Sequence, residues 1–230
     1  MGIRKILLVI SIILGISLKS YSATLGADSV ESVNYDSLVQ SIYKSLGRTN
    51  LSYKAFSYAY RGLSRLKSKI NINKKNILTV IDFNKSSKED RFFIIDLSKK
   101  EILHESLVAH GKNSGWDIPT TFSNLSNSYM SSLGFYITGE TYFGKHGLSL
   151  KLDGLEKGIN DNARKRNIVI HAADYVSNQF IKQVGRLGRS FGCPSLPAEN
   201  YTDVIDIIKN KSLIFIFSDQ NEYLSTSDYL

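Results

Sequence analysis

Two short runs near the N-terminus repeat their apolar residues at helical spacing. Leu38, Ile42 and Leu46 recur every four residues after Asp36, a capping residue type, and before Gly47, which can take the left-handed conformation that ends a helix. Ser52 opens a second run in which Tyr53, Phe56, Tyr60 and Leu63 share one face, widened by Ala59 and Leu66. These aromatics read as core rather than as a ligand box. From Asn76 the period becomes strand-like. Residues 77–83, 91–97 and 102–109 are expected to be strands, separated by polar turns at 84–90 and 98–100. The first two are apolar on both faces, which suits strands covered on both sides.

Residues 110–134 form a long stretch rich in Ser, Asn and Gly, of the kind that makes lids and binding loops. Beyond it, strands are expected at 135–141, 148–152, 167–171 and 212–218, and helices at 173–184 and 200–209. The polar tail, 220–230, is expected to fray. No internal repeat is visible. The pattern as a whole predicts an α+β, β-rich domain over residues 76–219, preceded by a helical region at 23–75.

Residues 1–22 read as a secretory signal: Arg4 and Lys5 make a basic start, residues 6–18 an apolar run, and Ser20 and Ser22 precede a cut near Ala23. The apolar run is shorter than the roughly 20 residues that span a bilayer. The expected location is therefore periplasmic or extracellular, with no stable transmembrane segment after cleavage. Removing Arg4, Lys5 and Lys19 with the signal lowers the formal charge from +8 to +5. That mild excess suits an anionic polymer without selecting one.

The chain has one cysteine, Cys193, in Arg189-Ser190-Phe191-Gly192-Cys193-Pro194, 22 residues after His171. An exported chain usually pairs its cysteines, so a lone one is a buried bystander, an intermolecular bridge or a reactive thiol. A thiol attacks a carbonyl as the thiolate, and an imidazole within hydrogen-bond reach can take its proton and later return it to the leaving amine. His171 ends the apolar run Ile168-Val169-Ile170, where a rigid strand can aim a side chain into a cleft. Backbone N–H groups of Gly192 and Cys193 can point at a developing oxyanion, since Pro194 has none to offer. The four histidines and the cysteine form no short zinc motif, although His104 and His110 would share a face of an unbroken strand. No phosphate-binding glycine loop is present, and no cofactor is expected.

The strings Ile170-His171-Ala172-Ala173-Asp174-Tyr175 and Gly188-Arg189-Ser190-Phe191-Gly192-Cys193-Pro194 resemble the catalytic signature of the YkuD-type L,D-transpeptidases, murein enzymes with a histidine, a spacer and then Ser/Thr-His-Gly-Cys. Ser190, Gly192, Cys193 and His171 match that signature. Phe191 stands where the family has a second histidine, and Pro194-Ser195 replaces the usual following residues, as in a divergent murein L,D-transpeptidase branch. The resemblance extends to His110-Gly111, Ser131 to Gly134 and Tyr142 to Leu152.

It implies a mixed-sheet β-sandwich and a cofactor-free cysteine acyltransferase. Cys193 would attack the L-centre carbonyl of the third stem residue of peptidoglycan and release D-alanine. The acyl group would pass to an amine of another stem, forming a 3-3 cross-link, or to a protein amine. The same intermediate given to water would make an L,D-carboxypeptidase, and the scaffold without thiol chemistry would be a wall-binding module. His171 would be the base, oriented by a backbone carbonyl such as that of Ala172. Arg189, Ser190, His110, His146 and Tyr142 are the candidate substrate contacts. Arg189 suits a stem carboxylate or a structural role, Ser190 substrate or its own turn, and the two histidines the cleft wall or the core. Tyr142 and Trp116 are groove walls or packing residues.

Overall fold

A computed structural model describes residues 34–230. The expected signal and the start of the polar stretch after it lie outside the described residues. The chain divides into two compact units at residues 42 and 43. Helix α1 (residues 34–45) is already formed at residue 34, so Asp36 lies inside it rather than capping it. Gly47 follows with φ +74°.

Helix α2 (Tyr53–Leu66) begins at Ser52, whose side chain accepts from the Ala55 N–H and also donates to Asp82 at 2.6 Å. One serine thus caps the helix and ties its start to the end of a strand. The buried face carries Ala55, Phe56, Ala59, Gly62, Leu63 and Leu66. Tyr53 is 38% exposed, so the stripe is rotated from the one the aromatic spacing suggests.

Eight strands follow: β1 (Ile77–Asp82), β2 (Phe92–Asp96), β3 (Glu101–Ser106), β4 (Gly134–Gly144), β5 (Gly147–Gly154), β6 (Val169–Ala172), β7 (Ser195–Leu196) and β8 (Leu213–Phe217). Their spatial order is β3-β2-β1-β8-β4-β5-β6-β7. The sheet is mixed. β1 runs antiparallel to β2 but parallel to β8, and β6 runs parallel to β7. β2 and β8 are buried at every position, as their continuous apolar runs require. Phe135 of β4 stacks on Phe215 of β8 with centroids 4.3 Å apart, and Tyr58 of α2 stacks on Phe217. Each fully buried phenylalanine contributes about 1.5–3 kcal/mol relative to exposure.

β3 ends at Ser106, short of the strand expected to residue 109, so His104 and His110 do not share an unbroken strand. The chain leaving β3 crosses to the far end of the sheet: Ala109 bridges Ser195 of β7, and Gly111 bridges Ser190. The segment that follows one end strand is therefore tied to the other end strand. A small core of Leu107, Ala109, Ala173, Val176 and Leu187 lies at this junction.

Helix α3 (Asn178–Val184) is shorter than expected, because residues 173–176 turn tightly through a bond from Val176 N–H to Ala173 O. Helix α4 is Tyr201–Ile208. The tail expected to fray instead forms α5 (Asn221–Thr226). Tyr223 of α5 donates to Glu156 at 3.0 Å and Ser227 donates to the other oxygen of the same carboxylate. Among the described residues no helix is long and apolar enough to cross a membrane.

Candidate active site

His171 is the third residue of β6, and its register partner in the parallel pair is Ser195 of β7. Neighbouring strands thus bring the two side chains together on one face. His171 Nδ1 lies 2.8 Å from Ala172 O and Nε2 lies 3.1 Å from Ser195 Oγ. A carbonyl can only accept, so these partners place the neutral imidazole proton on Nδ1 and leave Nε2 as the acceptor. The ring is 4% exposed and stacks on His146, with centroids 4.4 Å apart and planes 23° apart. Burial pushes the His171 pKa below the usual range, the Ala172 carbonyl opposes this, and His146 and Lys145 reinforce it.

Cys193 sits in a turn built by Ser190. The Ser190 N–H donates to His110 O at 2.9 Å, and its Oγ donates to Cys193 O at 2.6 Å while accepting the Gly192 N–H at 3.0 Å. Gly192 has φ +123°, and a Cβ there would lie 2.7 Å from Met130 O. Only glycine fits that backbone and that approach.

Cys193 is partly exposed, and its Sγ is directed at Asn167 O at 3.6 Å. Among the described residues no hydrogen bond joins the sulfur to His171. Burial pushes the thiol pKa up, against the opposing pull of the Val169 main chain, Arg166 and Lys145.

Cys193 and His171 line one cleft of about 450 Å³, together with Tyr142, His146, Arg189, Ser190, Phe191, Tyr175, Lys145 and Arg166. No carboxylate lines it, so its charged groups are all cationic. Tyr142 is 37% exposed on its wall. Arg189 donates to Lys112 O and Gly115 O at 2.8 and 2.9 Å, which anchors the guanidinium at the rim.

Of the residues read as either cleft wall or packing, two do not line the cleft. His110 is fully buried away from it, with Nδ1 2.9 Å from Arg91 Nη2 and Nε2 3.3 Å from Gly115 O. The Arg91 guanidinium, the Gly115 carbonyl and the Phe83 ring against it hold it in the core. Trp116 is exposed and does not line the cleft; the guanidinium groups of Arg186 and Arg189 lie 3.9 and 4.8 Å from its ring centre.

The sequence reading missed Ser195, Tyr175 and Arg166. Ser195 signalled itself only as a departure after Pro194. Tyr175 lay in the expected helix. Arg166 reads as part of a basic surface run, yet it donates to Ser123 O and Met130 O at 2.8 and 2.6 Å and pins the long loop beside the cleft.

Residues 47–217, about three quarters of the chain, match the family model described as the L,D-transpeptidase catalytic domain. No match is found among curated proteins. Similar solved structures include an L,D-transpeptidase from Mycobacterium smegmatis, 13% identical over 62% of this chain and 59% of that one, with a TM-score of 0.38. The helical cell shape determining protein of Campylobacter jejuni is 14% identical over 70% of this chain and 54% of that one, with a TM-score of 0.45. An L,D-transpeptidase from Stackebrandtia nassauensis is 11% identical over 80% and 77%, with a TM-score of 0.37. The chain spans between about half and three fifths of the first two. With the family model covering the whole stretch from α2 to β8, this chain belongs to the L,D-transpeptidase catalytic-domain family.

Proposed function

We propose that this chain is a cysteine acyltransferase acting on peptidoglycan stem peptides outside the cytoplasm. The observation that carries this reading is the meeting of Cys193 and His171 in one cationic cleft, with Ala172 O holding Nδ1 and leaving Nε2 as the basic nitrogen. Cleft cations suit the carboxylates of a stem peptide.

In the first half-reaction the Sγ–H proton passes to His171 Nε2 and the thiolate attacks the L-centre carbonyl. A C–S bond forms, the C–N bond to D-alanine breaks, and the leaving amine takes the proton from Nε2. In the second half-reaction an acceptor amine attacks the thioester. Its C–N bond forms as the C–S bond breaks, and its proton returns to sulfur through His171. The Cys193 N–H is the proposed oxyanion donor. The Gly192 N–H is held by Ser190 Oγ, so its use requires that hydroxyl to let go.

Intact-mass analysis with a carbapenem is expected to give one adduct on the wild type and none on Cys193→Ala. Purified muropeptides should yield 3-3 dimers that disappear in Cys193→Ala and fall at least about a hundredfold in His171→Ala. Release of D-alanine without dimers would replace transfer with hydrolysis. A folded wild type that forms no adduct would sink the catalytic reading and leave a wall-binding module.

A further inference from the structure

The nitrogen that should serve Cys193 is occupied. Ser195 is fully buried, and its Oγ lies 3.1 Å from His171 Nε2 and 3.1 Å from the Tyr175 hydroxyl. With the imidazole proton on Nδ1, Ser195 donates to Nε2, and Tyr175 in turn donates to Ser195 Oγ. The cysteine sulfur meanwhile faces Asn167 O. The main chain of β7 is fixed independently of this hydroxyl. Ala109 N–H donates to Ser195 O at 2.9 Å and Ala173 N–H to Leu196 O at 3.0 Å. The strand therefore does not need the serine side chain.

We propose that Ser195 is a positioning residue that occupies the basic nitrogen of His171 in the resting site, and that the Cys193 thiol is deprotonated once the Ser195 hydroxyl turns from Nε2 to the Tyr175 oxygen. This rests on the reading of His171 as the base for Cys193. The turn breaks the Ser195-to-His171 and Tyr175-to-Ser195 hydrogen bonds and makes one from Ser195 to Tyr175. The Tyr175 hydroxyl proton is then directed into the cleft that its side chain lines, where a substrate oxygen or water accepts it. Nε2 now takes the thiol proton: the S–H bond breaks, an N–H bond forms, and a thiolate faces an imidazolium. Ser195 Oγ, its proton now on the Tyr175 side, keeps a lone pair for the new Nε2–H. One hydroxyl can thus serve both charge states of the ring. Burial, His146 and Lys145 favour the neutral resting ring against the opposing Ala172 carbonyl, and His146 stacks on the ring while Ser195 meets Nε2.

The test is the rate at which a maleimide alkylates Cys193 in the full chain, followed by mass across mildly acid to alkaline pH. Ser195→Ala is expected to raise the rate at neutral pH by about three- to tenfold, the worth of one hydrogen bond, and to move the profile to lower pH. Tyr175→Phe keeps the ring but removes the acceptor to which the serine turns, so it is expected to lower the rate. Opposite signs from two neighbouring substitutions would not come from general loosening. The gain in Ser195→Ala should vanish when combined with His171→Ala. An unchanged or slower Ser195→Ala, a gain that survives without His171, or a Tyr175→Phe rate equal to or above wild type overturns the inference. If Ser195→Ala does not fold, the Tyr175→Phe rate decides alone. Alkylation of His171→Ala at the wild-type rate would instead overturn the base assignment itself. A slow His171→Ala beside an unchanged Ser195→Ala defeats only the role of Ser195.

Discussion

Gly192 sets where Cys193 stands. Its φ of +123° and the 2.7 Å approach of Met130 O to a would-be Cβ leave no room for a side chain. Gly192→Ala is expected to cost about 1–3 kcal/mol in backbone strain. The displaced turn should slow carbapenem acylation by more than about tenfold, as the same mass analysis would show against a denaturant curve. At this scale the sequence was readable where chemistry and spacing coincide, in the pairing of Cys193 with His171 in one cleft. Ala172 could be named as an orienting carbonyl because the family resemblance implies such a group beside the histidine. Phe191 itself is 63% exposed and packs on Tyr129 with centroids 4.8 Å apart, while Lys112 Nζ lies 4.6 Å from its ring centre. It is a lip of the cleft. Ser195 and Tyr175 were not readable, because their meeting depends on strand register between β6 and β7 and on a turn at residues 173–176, which leave no periodic trace.

Helix α2 reaches the sheet through a missing side chain. A Cβ at Gly62 would fall 1.9 Å from the Phe135 ring tip, so glycine is what lets the helix lie this close to β4. Gly62→Ala is expected to destabilise by about 1–3 kcal/mol despite alanine's better helix propensity, since overpacking outweighs the gain of about 1 kcal/mol. Urea unfolding measures it, and a stabilised variant would show that the ring moves freely aside. Strands β1 to β6 and β8 were legible from strand-like apolar patterning, β3 with an end set too late, and α2 from its period and its Ser52 cap. The two-residue β7 was not, being too short to show a pattern. Helix α5 was read as a fraying tail because its sequence is polar. Its order comes from Tyr223 and Ser227 meeting Glu156, about seventy residues away along the chain.

At the level of the whole molecule, acid stability should depend on His110. Burial, then the neighbouring Arg91 charge, pushes its pKa down from 6.5 to about 3. The unfolded chain therefore binds a proton that the folded chain refuses. The stability from this neutral ring is full above about pH 6.5 and is lost as pH falls through the window toward 3, by at most about 1.4 kcal/mol per pH unit. His104 and His171, also lowered, add the same sign. His110→Gln is expected to flatten the fall in denaturation midpoint between about pH 6 and 4. An equally steep profile would assign the dependence to other groups.

The bridge from Ala109 to Ser195 ties the chain beyond β3 to β7, and Ser195 on that bridge also meets His171. The hydrogen bonding around His171 is thereby stitched into the seam of the sheet, not into the phenylalanine-rich interior under α2. A fluctuation that parts a few edge hydrogen bonds is expected to shift Ser195 against His171, and so change the reactivity of Cys193, while the interior remains packed. On the proposed reading, how long the site stays competent depends on that seam, and resistance to global unfolding on a different part of the molecule.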